Sequence, residues 1–235
     1  MYTVLALICH PDDMEINCGG TLLKCKERGD RVVVCNLCNG NLGHMVIQPD
    51  ELAQIRDAEA KRSCEIGGFE HLSCNFGDLD IYDNNKEARD RVVKIIREVN
   101  PDFIITHYPD DYMADHVATS KLVFDASFAA SVPHYSPEIE GEAKVVPIFY
   151  MEPSNGVNFI PTEYVDVSDY IDKKIEMLSC HESQVVWLKD HDNVDICEDA
   201  RVTSRYLGMQ CGTKYAEGFR QCLTALKVTT KRMLP

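Results

Sequence analysis

A chain of 235 residues with 45% hydrophobic and 26% charged residues has the profile of a soluble globular protein, long enough to bury a core without disulfides. Its formal net charge of −14 ranks phosphate backbones and anionic lipid low as partners, so neither nucleic acid nor a membrane surface is expected, and it favours a cation or a neutral substrate. The opening apolar run has no basic flank and no small-residue cleavage site, and no later stretch approaches the ~20 apolar residues of a membrane span, so the expected location is the cytoplasm.

Apolar strands alternate with helical segments along the chain. Thr3 to Cys9 is a continuous apolar strand, Gly19 to Gly29 a helix closed by glycine, and Arg31 to Cys38 a second buried strand. Pro49 to Gly67 predicts a long helix, His71 to Phe76 a third strand, Glu87 to Asn100 an amphipathic helix, Asp102 to His107 a fourth strand, and Ala114 to Ser131 a further helix. Val145 to Met151 and Glu163 to Val167 read as strands. Asp169 to Gln184 reads as one helix with Ser168 as its N-cap, and Asp195 to Gly208 as another. Strands apolar on both faces and separated by helices signal βαβ units and a doubly wound, mainly parallel sheet, which binds ligands at the carboxyl ends of its strands. No linker, repeat or composition break divides residues 1–235, which read as one domain.

Eleven cysteines occur, an odd number without dense spacing, which argues against a disulfide framework. Cys35 and Cys38 form the only CxxC, inside an apolar strand, and no second CxxC exists to complete a structural zinc site, so strand packing is the expected role.

The informative motif is His10-Pro11-Asp12-Asp13 at the end of the first strand. A tight turn there can aim His10 and Asp13 inward together, with Pro11 stiffening it and Asp12 left between two ligands as a base. Asp115-His116, at the start of the helix after strand four, supplies a third ligand. Two imidazoles and a carboxylate suit zinc with an open position for water. The same count fits a non-haem iron(II) triad, and ordinary turn and helix-cap roles are the bland alternative for both motifs. Cys18-Gly19-Gly20-Thr21 follows at once. Its glycines permit close approach of a substrate, and a helix N-terminus there would favour developing negative charge. No G-x-G-x-x-G follows strand one, which disfavours a dinucleotide enzyme.

The stretch from His10 to Leu22 resembles the signature of the PIG-L (LmbE-like) N-deacetylase family. Arg56-x-x-Glu59-Ala60, Pro109 to His116, Tyr164 to Ser168, His181 to Gln184 and Glu217-x-Phe219 resemble its later blocks, so the likeness covers most of the chain. The resemblance implies a Rossmann-like three-layer αβα sandwich with zinc as cofactor. It also implies hydrolysis of an N-acetyl or other N-acyl group on an amino sugar or glycoside, often in a homo-oligomer. It gives His10, Asp13 and His116 the ligand roles, Asp12 the base role, Arg56 a charged fork for the sugar, and Asp78 a sugar hydroxyl. One departure stands out: many members carry a histidine three residues before the last ligand, paired with the aspartate that here is Asp115. This chain has Met113 at that place, which cannot donate a hydrogen bond. Asp12 returning its proton, with His181 assisting, is the expected replacement. An amidase of a larger N-acyl or thiol conjugate and a non-catalytic sugar-binding relative stay open beside the deacetylase. Specificity is expected in the loops Asn39 to Gln48 and Ser131 to Ala143. His107 is expected close to the site, and His44, His71, His134 and His191 in loops or on the surface.

Overall fold

The computed structural model describes residues 1–235. Its elements run β1 (Thr3–Ile8), α1 (Asp13–Asn17), α2 (Gly19–Glu27), β2 (Arg31–Cys38), α3 (Pro49–Gly67), β3 (Glu70–Phe76), α4 (Lys86–Val99), β4 (Phe103–Thr106), α5 (Ala114–Ala129), β5 (Ile148–Met151), β6 (Glu163–Asp166), α6 (Ile171–Leu178), α7 (Glu182–Asp192), α8 (Ile196–Cys211) and β7 (Ala216–Gln221), with a 3-10 turn at Ser154–Gly156.

The seven strands lie in the order β3-β2-β1-β4-β5-β7-β6. β1 pairs in parallel with β2 on one side and β4 on the other, Val4 lying opposite both Val32 and Phe103. Only β7 runs against its neighbours, antiparallel to β5 and to β6. The chain winds outward from β1 to β3 and then crosses back to β4, so the order reverses between β1 and β4. In open sheets of this kind a crevice opens at the carboxyl ends of the two strands flanking that reversal. His10 follows β1 and His107 follows β4, and the crevice lies between them.

Helices cover both faces, giving the three-layer α/β architecture. Because side chains alternate along a strand, β1 sends Leu5, Leu7 and Cys9 to one face and Val4, Ala6 and Ile8 to the other. The first set packs with Val92, Val93 and Ile96 of α4 and Leu122, Val123 and Ala126 of α5. The second packs with Leu22, Leu23 and Cys25 of α2, Cys64 of α3 and Met177 of α6. Cys35 and Cys38 are buried in this packing, the Cys38 sulfur 3.7 Å from that of Cys9 and the Cys35 sulfur 3.9 Å from that of Cys74. A smaller cluster of Leu178, Ile196 and Ala200 joins α6 to α8 and borders the crevice. No helix is long and apolar enough to cross a membrane.

The short helix α1 is not expected from the sequence, and three further features differ from it. The segment expected as one helix over Asp169–Gln184 is two, α6 and α7, broken by a tight turn in which the amides of Cys180 and His181 donate to the carbonyls of Met177 and Leu178. Ser168 does not cap α6. Its hydroxyl bonds Asp166, and Tyr170 stands at the helix start. β7 is not readable as a strand from its own residues, because Ala-Glu-Gly-Phe-Arg-Gln carries two charges and a glycine. It is nonetheless internal to the sheet, with Ala216, Glu217 and Phe219 buried.

Candidate active site

The turn after β1 begins the site. Asp12 adopts φ 108° and ψ −32°, a positive-φ conformation outside the left-handed helical well that strains an L residue. This kink starts the short helix α1 and separates the directions of Asp12 and Asp13. The Asp13 carboxylate turns back so that Oδ2 accepts the His10 amide at 2.8 Å and lies 3.3 Å from His10 Nδ1. His116, in the first turn of α5, brings Nε2 to 3.2 Å from the same oxygen. His10, Asp13 and His116, all buried, thus offer ligand atoms lying within 4.8 Å of one another.

A carboxylate stands behind each imidazole. His10 Nε2 stands 3.2 Å from Asp115 Oδ2, which also accepts the Leu79 amide at 2.9 Å. His116 Nδ1 stands 3.2 Å from Asp111 Oδ2. His107 accepts the Cys9 amide at 2.9 Å and stacks on His116 with ring centroids 4.0 Å apart. Both nitrogens of His116 and Asp111 Oδ2 are buried without a hydrogen-bond partner of acceptable geometry. Orphaned donors of this type, with two imidazoles and a carboxylate converging and further carboxylates behind the rings, fit a divalent metal.

The electrostatics agree. Burial alone would lower the His116 pKa, but the Asp13 and Asp111 carboxylates outweigh it and push it up to about 9. Burial likewise opposes ionisation of Asp13, yet His116 and His10 hold it well below the usual carboxylate range. His107 is driven well below its ordinary value by burial and then by His116. Burial raises Asp12 to about 6 against the pull of Arg56. The field at the triad therefore favours added positive charge.

Asp12 is set by Arg56, whose Nη2 donates to Asp12 Oδ2 at 2.9 Å and to the Pro11 carbonyl, while Nη1 donates to the Gly40 carbonyl at 3.2 Å. A cavity of about 500 Å³ opens over this corner, and its wall includes His10, Asp12, Asp13, Arg56, Asp78, Asp115, Tyr112 and Met113.

A profile of the family described as PIG-L, GlcNAc-PI de-N-acetylase, matches residues 5–127. A diacetylchitobiose deacetylase of Thermococcus kodakarensis is 31% identical over 92% of this chain and 82% of its own length. The chain belongs to the PIG-L family. Among solved structures, a conserved protein of Thermus thermophilus superposes on the PIG-L chain with a TM-score of 0.82 at 28% identity, over 99% of this chain and 100% of that one. GalB, the 4-carboxy-2-hydroxymuconate hydratase of Pseudomonas putida, superposes with a TM-score of 0.80 at 23% identity, over 98% and 99%. The fold alone therefore does not choose the reaction.

Within this PIG-L chain several residues stand elsewhere than their motifs suggested. The N-terminus of α2 does not face the cavity. The amides of Gly20 and Thr21 donate to Glu217 at 2.9 and 2.7 Å, Glu217 pairs with Lys174 at 2.7 Å, and a side chain at Gly20 would collide with Val167. The small residues there serve packing, and the Glu217 block is the buried counter-charge. Arg56 reaches the wall with Nη1 and Nη2 bonded to three protein acceptors, while its buried Nε has no partner. Both oxygens of Asp78 accept loop amides, from Gly40 at 2.9 Å and Leu42 at 3.0 Å. His181 is 0% exposed, opens α7 rather than ending a helix, and lies 3.0 Å from Glu15 Oε1, which also takes the Ser63 hydroxyl. Burial would depress His181, but Glu15 and then Asp12 outweigh it and raise its pKa. Asp115 lines the cavity and directs Oδ2 to His10 Nε2. His71 lies on β3, as the strand reading expects, half-buried against Asn36.

Of the two loops expected to set specificity, Asn39–Gln48 supplies Leu42 and Gly43 to the wall. The Ser131–Ala143 segment supplies none, and is gathered away from the cavity by Arg97, which donates to the carbonyls of Ala130, Val132, Tyr135, Ser136 and Ile139. Sequence reasoning missed Asp111 and Glu15. An aspartate five residues before a candidate histidine ligand is a usable signal for Asp111, whereas nothing local marks Glu15 as the partner of His181.

Proposed function

We propose that the chain is a zinc-dependent N-deacetylase acting on an amino sugar or its glycoside, with His10, Asp13 and His116 as metal ligands and Asp12 as general base. The observation that carries it is the convergence of the three ligand atoms beside the Asp12–Arg56 pair on the cavity wall. Membership of the PIG-L family and the likeness to a diacetylchitobiose deacetylase support the substrate class. A zinc ion held by the three side chains would supply Lewis-acid polarisation and lower the pKa of water.

The chain's own residues do the rest. Asp115 and Asp111 fix the rings of His10 and His116 so that the opposite nitrogens face Asp13. Asp12, raised to about 6 and oriented by Arg56, is a carboxylate at neutral pH with enough basicity to take a proton from the attacking water. With Met113 on the wall in place of a donor, Asp12 returns that proton to the leaving amine. His181, buried behind Glu15, tunes the charge around Asp12 without entering the cavity. Arg56 positions Asp12, and Asp78 shapes the Gly40–Leu42 edge of the sugar site. The eleven free cysteines support a reducing, cytoplasmic setting.

The test is zinc content together with acetate and free amine released from N-acetylglucosamine, its glycosides and thiol conjugates. Equimolar acetate and amine, in the absence of oxygen, are expected. A zinc-loaded protein that releases acetate from none of them, or that needs iron(II) and oxygen, sinks the proposal.

A further inference from the structure

Resting on that reading, we infer that the part of the cavity walled by α1, α7 and α8 is a subsite for an uncharged, apolar group glycosidically linked to the amino sugar. A group bearing a carboxylate or phosphate there is rejected. Two independent observations carry this.

The first is the chemistry of the wall. Ile196 and Ala200 belong to the small apolar cluster between α6 and α8, and Ile16, Leu188 and Val194 pack against it half-buried. All five also line the cavity, so one side of the cluster is covered by helices and the other is left to whatever occupies the cavity. A volume of about 500 Å³ accommodates more than an acetamido sugar alone. Each methylene buried on such a wall is worth roughly a fourfold gain in affinity.

The second is charge. Asp12, Asp13, Asp78, Asp115 and Asp199 line the cavity, and Arg56 is the only arginine or lysine among its lining residues. Arg56 is 3% exposed and already bonded to the Asp12 carboxylate and to the Pro11 and Gly40 carbonyls. At the α8 wall an anionic group would meet Asp199 and no lysine or arginine, and desolvating an unpaired charge next to a carboxylate is costly.

Trp187 stands next to a lining residue of the subsite without lining it. It is the sole tryptophan of the chain, precedes Leu188 on α7, and stacks between His44 and His191 with centroids 4.1 and 4.4 Å away. Its fluorescence is read beside calorimetric titration, which registers occupancy whether or not hydrolysis follows. The experiment titrates the zinc-loaded protein with methyl, hexyl and 5-carboxypentyl glycosides of N-acetylglucosamine in both anomers, and measures amine release from each. The hexyl glycoside is expected to bind at least tenfold more tightly than the methyl one, and the carboxypentyl glycoside at least tenfold more weakly than the hexyl, with KM following the same order. Leu188→Asp and Val194→Asp should each collapse the hexyl-to-methyl ratio towards one. Hexyl and methyl binding within twofold of each other, or a carboxypentyl glycoside as good as hexyl, overturns the subsite even if every glycoside is deacetylated. The expected binding order without amine release leaves the subsite standing and overturns the deacetylase reading. No response to any glycoside overturns both.

Discussion

Arg56 Nη2 stands 2.9 Å from Asp12 Oδ2, and the same guanidinium ties the Pro11 and Gly40 carbonyls, so one buried arginine fixes both the carboxylate and the turn that carries it. Asparagine has the shape of aspartate without its charge, so Asp12→Asn should fold and keep its metal while kcat falls about a thousandfold. Arg56→Ala should lower kcat about a hundredfold with zinc content unchanged, and Arg56→Lys should lie between, since one ammonium nitrogen keeps the charge but cannot span acceptors divided between two guanidinium nitrogens. Kinetics beside metal analysis on each variant check this. An Arg56→Ala enzyme with raised KM and normal kcat would show that arginine serves the substrate instead.

Asp111 and Asp115 each back one imidazole, at 3.2 Å. Asp111→Asn and Asp115→Asn are each expected to weaken zinc affinity about 10- to 100-fold, and Asp13→Asn or His116→Ala to abolish retention through a desalting column. Chelator competition measures the constants. Affinities equal to the parent in both asparagine variants would remove these carboxylates from the metal site.

The Lys174–Glu217 pair is buried, and Glu217 also caps the first amides of α2. Glu217→Ala strands a buried ammonium and two helix amides together, so a loss of about 3–5 kcal/mol is expected in urea unfolding. Lys174→Met with Glu217→Leu should cost less than the single change. A Glu217→Ala loss below about 1 kcal/mol would contradict the capping role.

Glu152, at the end of β5, is buried with Oε2 unpartnered, and burial raises its pKa to about 7 against a weaker opposing pull from Lys174. Below about 4.5 the carboxyl is protonated in both folded and unfolded chains and costs nothing. As pH rises from there to about 7 the unfolded chain ionises first, so this group subtracts stability, by an amount on the order of 3 kcal/mol once pH exceeds the folded value. Glu152→Gln should therefore stabilise the protein at pH 8 and leave it unchanged near pH 4. Equal urea midpoints for the two proteins across that range would refute the assignment.

The strand–helix alternation was legible because each element is written locally. β1 is apolar in every residue after Thr3, α4 has an apolar stripe, and Asn85 and Asn100 punctuate it. The His10–Asp13 turn was legible for the same reason, its groups being three residues apart at a strand end. β7 was not, since its pattern answers to β5 and β6 rather than to itself. Nor was the break at His181, where Glu15 lies on another element entirely.

The sequence by itself determined the α/β class, the rim on which polar residues gather, and the identity of His10, Asp12, Asp13 and His116 as a set. Only the tertiary structure decided what faces what. Glu217 turns a glycine-rich helix start into a packed, neutralised interior from 197 residues away. Arg97 draws the Ser131–Ala143 segment off the cavity, and Arg56 directs its charge to Asp12. The reason is that a buried charge must find its partner wherever the fold brings one, and partners so distant in sequence leave no periodicity or spacing to read.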